Sequence, residues 1–218
     1  AVLVSEFAPL VSGTLSARQE VVTLFLVTFS VTIAIGSLAV NKLLGGAVSA
    51  KYVPASALGL ALGMIDLWLS TRGFAVRSAG ASVEQFLATP GAIRILVDLM
   101  VIAFSGGMFI VPLYAILQVA SPPEERSRII AANNIVNAGV TVLVVLVVTA
   151  LLGTGGDVPG AIGALGFATL AVALVSVWLL PETLFKSTIR FVLRLLYRVE
   201  LNGTENMPKP GERAVVVV

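Results

Sequence analysis

Five long stretches that carry almost no charge constrain this 218-residue sequence more than any other feature. A helix that crosses the hydrocarbon core of a bilayer, about 30 Å thick, needs about 20 predominantly apolar residues. Each stretch meets that requirement, and residues 1–11 look like the last turns of a sixth span. We therefore predict an all-α integral membrane protein with a transmembrane bundle over residues 1–181. Its spans are predicted at residues 1–11 (partial), 21–43, 52–70, 93–119, 129–152 and 158–180.

The alternative is a soluble protein with several buried helices or strands. Buried strands also read as apolar runs, and residues 140–148 would pass for one. Five runs of this length, joined by short polar loops, are hard to accommodate in a soluble chain of this size. The chain begins with Ala1 and no signal-peptide pattern precedes it, so we interpret the N-terminus as a cut inside a membrane span.

Composition supports the membrane interpretation and limits the kinds of catalysis and metal binding that the chain could perform. The chain is 57% hydrophobic and 12% charged, whereas soluble domains are about 45–50% apolar and about 25% charged. It contains no cysteine and no histidine, which removes thiolate ligands and the commonest general base. We predict no catalytic residue, no metal site and no cofactor in this chain. The net charge of +2 does not indicate nucleic acid as a partner.

The basic residues predict an orientation, because Lys and Arg concentrate in cytoplasmic loops. Counted by alternating loops, ten cations lie on one side and four on the other. We therefore predict a cytoplasmic location for residues 43–51, 120–128 and the C-terminal tail. The ten are Lys42, Lys51, Arg126, Arg128, Lys186, Arg190, Arg194, Arg198, Lys209 and Arg213, and the four are Arg18, Arg72, Arg77 and Arg94.

Two segments carry a resemblance to the major facilitator superfamily. Gly36-Ser-Leu-Ala-Val-Asn-Lys42 resembles its loop motif G-x-L-x-x-G-R-x-x-D, with Asn41 and Lys42 at the usual Gly and Arg positions and the acidic position unfilled. Residues 112–118, 121–128 and 129–137 are similar to the lysophospholipid transporter branch of that superfamily. The resemblance implies the C-terminal six-helix half of a transporter in the inner membrane of a bacterium. It also implies a cytoplasmic role for the segment that contains Arg126 and Arg128.

The tail after the last span has two parts. Residues 182–198 place cations at four-residue spacing, which predicts a basic amphipathic helix on an anionic membrane surface, or else a solvated spacer. Residues 199–218 resemble the opening of the α/β phosphate acyltransferase family and stop before its histidine motif; a disordered tail is the alternative. The four cations of the predicted surface helix are Lys186, Arg190, Arg194 and Arg198.

Polar residues inside the spans are candidates for a substrate pathway, since polar groups in a membrane usually face a bundle interior. Asp66 and Asp98 are predicted in the outer part of the membrane, on consecutive long spans. Arg94 lies four residues before Asp98, so a local ion pair on one helix is an alternative to a functional role for Asp98. For Asp66 the sequence offers no nearby partner.

Asn133, Asn134 and Asn137 cluster near the cytoplasmic end of their span, within reach of a lipid headgroup. Hydrogen bonds between helices are the alternative use of these carboxamides, and Tyr114 and Gln118 are further candidates. Small residues also repeat at helical spacing, which favours close helix packing. They are Ala55, Gly59 and Gly63, then Gly160, Gly163 and Gly166; Gly106, Gly107 and Pro112 suggest either packing or a kinked or broken helix.

These expectations combine into one functional hypothesis. The chain is predicted to be part of a transporter that moves lysophospholipid to the cytoplasmic leaflet for re-acylation. Its expected partners are membrane lipid, the lysophospholipid, a missing N-terminal six-helix half and a downstream acyltransferase domain. The alternatives are the membrane anchor of a fusion between a glycerophospholipid acyltransferase and an acyl-carrier-protein synthetase, and a membrane scaffold that transports nothing. Only the full-length parent, and not this chain, would then be an enzyme.

Overall fold

Helices account for nearly all of the residues that the structure, a computed structural model, describes: 2–72, 74 and 80–179. No β-strand forms within these ranges. The predicted surface helix at 182–198 and the acyltransferase-like segment at 199–218 lie outside the described residues. In chain order the elements are α1 (Val2–Ser5), α2 (Phe7–Pro9), a π-helical turn (Leu10–Thr14), α3 (Gln19–Leu44), α4 (Val53–Arg72), α5 (Val83–Leu87), α6 (Ala92–Ala120), α7 (Arg126–Gly153) and α8 (Val158–Leu179).

Five of these helices, α3, α4, α6, α7 and α8, are long and apolar enough to cross a membrane. They contain 26, 20, 29, 28 and 22 residues and overlap the five full-length spans expected from the sequence. Their apolar character and their length confirm the prediction of an all-α membrane protein.

Local sequence explains where several helices begin and end. Gly45 follows α3 with a positive φ of 57°, which a glycine adopts without strain, and its N–H bonds back to the last turn. Ser82 and Gln85 form a reciprocal capping box at the start of α5. The helix α6 continues through Gly106, Gly107 and Pro112, so the broken helix considered from the sequence does not form.

Four of the long helices pack in the order α3, α6, α4, α8 to form a layer. Two glycines bring α3 and α6 into backbone contact. A Cβ added at Gly36 would overlap the carbonyl group of Phe104, and one at Gly107 would overlap the carbonyl oxygen of Ile33. Because a larger residue would hold the two backbones apart, these glycines allow α3 and α6 to approach closely.

Glycines also lie where α4 meets its two neighbours. A Cβ at Gly63 would come within 2.8 Å of Ile102 on α6, and one at Gly163 within 2.8 Å of Trp68 on α4. A Cβ at Gly166 would lie 3.0 Å from the side chain of Ile65 on α4. Gly59, Gly63, Gly163 and Gly166 therefore lie in helix contacts, as the spacing predicted, whereas Ala55 is exposed and a Cβ at Gly160 would meet only Asp157, just before the same helix.

An aromatic cluster fills one end of the layer. Phe25 is fully buried and makes edge-on contacts with Phe7 and Phe86, with ring centroids 5.8 Å apart in each pair. At the same end, Arg18 Nε donates a hydrogen bond of 2.9 Å to the carbonyl oxygen of Gly80. The segments before α3 and before α5 therefore lie on one side of the bundle, as the alternation of loops requires.

The helix α7 differs from the others because it has little contact with the rest of the described chain. Val148 is its one buried residue. Its exposed large apolar side chains are Ile135, Val136, Val140, Val142, Leu143, Val145, Leu146, Val147 and Leu151. Such a surface is stable only against lipid or another apolar partner.

The predicted orientation is testable with single cysteines, because the chain has none of its own. Glu124 precedes α7 and Glu84 lies in α5, and both side chains are exposed. We expect a membrane-impermeant maleimide, applied from outside whole cells, to label Glu84→Cys and to leave Glu124→Cys unlabelled until the cells are opened. The reverse pattern would show that the positive-inside assignment is wrong.

Candidate functional site

A groove of about 510 Å³ lies between the second half of α6 and the first half of α7. Small-molecule sites in proteins commonly enclose about 300–1,000 Å³, so its size is that of a ligand pocket. Its walls are mostly apolar, with a few polar groups. The lining residues are Phe109, Ile110, Leu113, Tyr114 and Leu117 from α6, and Asn133, Asn137, Val140 and Thr141 from α7.

Helical periodicity explains why these residues share the groove. On α6 the positions follow a spacing of one, three and four residues, which places them on one face of the helix. On α7 the carboxamides of Asn133 and Asn137 are four residues apart and lie on the same face. The short connection after α6 makes the two helices antiparallel neighbours, so the two faces oppose each other close to residues 121–125.

A small hydrogen-bond network closes one side of the groove. Asn133 Nδ2 donates to the hydroxyl oxygen of Tyr114 at 3.4 Å, and that hydroxyl donates to Asn134 Oδ1, also at 3.4 Å. Both bonds are long and therefore weak. Asn137 lines the groove, and Thr141 Oγ1 donates to its backbone oxygen at 2.8 Å. The structure thus brings the three predicted asparagines to one place and adds Tyr114 from the neighbouring helix.

The groove is amphipathic across its width, because its α6 wall is apolar apart from Tyr114 while its α7 wall carries Asn133, Asn137 and Thr141. At 1.5 Å per residue, Asn133 is about 10 Å along α7 from Arg126, and Phe109 is about 16 Å along α6 from Ala120. Tyr114 and Asn133 are therefore nearer the 121–125 connection than Phe109 and Ile110 are, whereas Asn137 lies as deep as Phe109. A ligand that fits this arrangement has an apolar part against the α6 wall and polar groups that reach the α7 wall, where Asn133 is the polar residue nearest the connection.

The two intramembrane carboxylates belong to a different cluster. The Arg94 guanidinium on α6 donates two hydrogen bonds to the Asp66 carboxylate on α4, through Nε and Nη2. Both side chains are substantially exposed, at 55% for Arg94 and 42% for Asp66. Arg94 is thus paired across helices, and the local pair with Asp98 considered from the sequence is wrong.

Asp98 has a partner of its own. It is buried, with 4% of its surface exposed, and its Oδ2 accepts a hydrogen bond of 2.7 Å from Ser70 Oγ. Ser70 lies four residues after Asp66, and its Oγ is also 2.9 Å from the Asp66 backbone oxygen. The cluster therefore ties α4 to α6 near the ends that are predicted to face outward. Asp98 is about 16 Å along α6 from Phe109, so the cluster and the groove are separate sites.

Of the five residues assigned to the cytoplasmic loop motif, one is buried in a helix contact and four are exposed. Gly36 is buried against α6, where it permits the close crossing described above. Asn41 and Lys42 are exposed in the last turn of α3, and Arg126 and Arg128 are exposed in the first turn of α7. The cations Lys186, Arg190, Arg194 and Arg198 lie outside the described residues.

Other functional residues carry no sequence signal that separates them from ordinary membrane-facing residues. Phe109, Ile110 and Leu113 are apolar, and an apolar side chain in a span faces lipid as readily as it faces a groove. Ser70 had one usable signal, its position four residues after an intramembrane aspartate. Within the described part of the chain, no group of three or more His, Cys, Asp or Glu side chains is placed to hold a metal ion.

Comparisons of the chain with known protein families, with characterised proteins and with solved structures find no match. The described helices define the class: a multi-pass, all-α membrane protein, with an amphipathic groove between two of its spans.

Proposed function

We propose that the chain is the C-terminal half of a transporter of the major facilitator type that moves lysophospholipid to the cytoplasmic leaflet, where the lipid is re-acylated. The observation that supports this most strongly is the groove between α6 and α7. A lysophospholipid has one acyl chain, a glycerol unit with a free hydroxyl and a phosphate. An apolar wall on α6 that faces carboxamides on α7 complements such a molecule better than it complements a wholly soluble substrate.

The depth of the groove agrees with this cargo. Tyr114 and Asn133 are its polar groups nearest the connection at residues 121–125, which the basic residues predict to be cytoplasmic. Asn133 and Tyr114 would then lie below the inner headgroups, at the level of the glycerol. The apolar side chains of Phe109 and Ile110 would contact the acyl chain deeper in the membrane. Carboxamides can both donate to and accept from a glycerol hydroxyl or ester oxygen.

The exposed surface of α7 also agrees with half of a larger transporter. Within the described residues this helix buries little more than Val148. In a twelve-helix transporter the other six-helix half would supply contacts that α3 to α8 do not, and the substrate would pass between the halves.

A steric block tests the proposal. Leu113 lines the groove, whereas Val119, on another face of the same helix, is 68% exposed and outside it. In the full-length parent reconstituted in liposomes, we expect Leu113→Trp to reduce lysophospholipid transport at least about tenfold, because the indole occupies space that the acyl chain needs. Val119→Trp is the matched control and is expected to transport normally. Unchanged transport in both variants at equal protein incorporation would contradict a substrate path through the groove.

The rival proposal is a membrane anchor for an acyltransferase, and it is favoured by the resemblance of residues 199–218 to the opening of such a domain. The same variants separate the two proposals. If the parent re-acylates lysophospholipid supplied from the cytoplasmic side but neither it nor Val119→Trp moves lipid between leaflets, these helices are an anchor.

A further inference from the structure

The two arginines that begin α7 are not equivalent with respect to the groove. Successive residues of a helix are about 100° apart. Arg126 lies seven residues before Asn133 and eleven before Asn137, so it differs from these groove residues by only about 20° around the axis. Arg128 lies five residues before Asn133 and is rotated from it by about 140°. One arginine continues the polar stripe of the groove, and the other lies on a different face.

The distance along the helix suits a glycerophospholipid. Arg126 and Asn133 are about 10 Å apart along the axis of α7. A glycerophosphate unit, with a hydrogen bond at each end, bridges a gap of that order. Arg126 is exposed and makes no ion pair within the described residues. The lining of the groove itself contains no charged side chain, so a bound phosphate would find its compensating charge at this mouth.

We propose, on the basis of the transport function proposed above, that Arg126 is a specificity-determining residue that binds the phosphate of a single-chain phospholipid whose acyl chain lies in the α6–α7 groove. A guanidinium binds phosphate through two parallel N–H donors, which gives orientation as well as charge. Asn133 binds the glycerol region, and the apolar wall binds the chain. Arg128 contributes to membrane orientation and has no contact with this ligand.

Binding measurements on the full-length parent in detergent test this assignment without requiring transport. The probes are lysophosphatidylglycerol and a monoacylglycerol with the same acyl chain, which lacks the phosphate. We expect Arg126→Gln to weaken lysophosphatidylglycerol binding by on the order of tenfold, as for loss of a charge-assisted hydrogen bond, and to leave monoacylglycerol binding unchanged. Arg126→Lys should retain part of the affinity. Arg128→Gln is the matched control and should bind both lipids as the unmodified protein does.

Several outcomes would overturn the proposal. Equal losses in Arg126→Gln and Arg128→Gln would indicate a general effect of surface charge, and a loss of monoacylglycerol binding would indicate a distorted groove. Inorganic phosphate that displaces lysophosphatidylglycerol at equal concentration would assign Arg126 to free phosphate and not to a lipid. Labelling of Glu124→Cys in the Arg126→Gln background verifies that orientation is unchanged. If Leu113→Trp transports normally while these binding differences hold, the proposed transport path fails and the phosphate site stands.

Discussion

Replacing Gly107 with alanine is expected to destabilise the bundle strongly, because the added methyl group meets the backbone of a neighbouring helix. The new Cβ would overlap the carbonyl oxygen of Ile33 and lie 2.7 Å from the backbone nitrogen of Ser37. Overpacking against movable side chains costs about 1–3 kcal/mol, and here the obstacle is the backbone of α3, so we expect a cost at or above the top of that range. Thermal unfolding of the purified protein in detergent measures it. Gly36→Ala should behave alike, because its Cβ would overlap the carbonyl group of Phe104.

Gly139 provides the matched control. It also lies inside a long apolar helix, α7, but nothing comes within 4 Å of a Cβ added there. Alanine is favoured over glycine in a helix interior by about 0.5–1 kcal/mol, so Gly139→Ala is expected to be neutral or slightly stabilising. If Gly107→Ala unfolds at the same temperature as Gly139→Ala, the backbone contact between α3 and α6 is absent from the folded protein.

Replacing Asp66 with asparagine is expected to reduce lysophospholipid transport by roughly tenfold, a typical size for the coupling of a contact to a conformational equilibrium. Without its carboxylate partner, Arg94 loses the ion pair that joins α6 to α4 near the end of the span. The next carboxylate along its own helix is that of Asp98, which accepts a hydrogen bond from Ser70. We expect the guanidinium to turn toward Asp98, which would weaken the polar contacts between α4 and α6. Transport in liposomes, normalised to incorporated protein, measures the loss.

Three further variants make this second prediction specific. The double variant Asp66→Asn/Arg94→Gln removes both charges and should recover part of the transport. Glu84→Gln neutralises an exposed carboxylate outside the cluster and should have no effect. Asp98→Asn should have a smaller effect than Asp66→Asn, because an amide oxygen can still accept the Ser70 hydrogen bond. Normal transport in Asp66→Asn would assign the pair to a packing role.

The ion pair shows what one-dimensional spacing leaves undecided. Arg94 is four residues from Asp98 and 28 residues from Asp66, so the sequence favours the nearer aspartate. The structure selects the more distant one because glycines let α4 and α6 cross closely enough for the two side chains to meet. That crossing depends on contacts such as Gly63 against Ile102, whose partners cannot be assigned from either helix alone.

Long apolar helices, by contrast, were predictable because each one satisfies the membrane requirement by itself. Asn133 and Asn137 share a helix face by simple periodicity, and the short connection before α7 predicts α6 as the neighbour. The position of Tyr114 opposite them depends on how far α6 and α7 are offset along their axes, which the length of a loop does not specify. The apolar wall of the groove was not predictable, since lipid and a groove select the same side chains.

The uneven packing of α6 and α7 has a mechanical consequence for the groove between them. One wall is stiff, because α6 is fastened on both flanks to α3 and α4, with the α3 contact made by backbone atoms. The other wall is compliant, because α7 is buried at little more than Val148. The work needed to widen the groove is therefore set by displacing a single helix through lipid, and the four-helix layer need not repack. The groove can therefore widen for a bulkier occupant while the contacts among α3, α6, α4 and α8 stay unchanged.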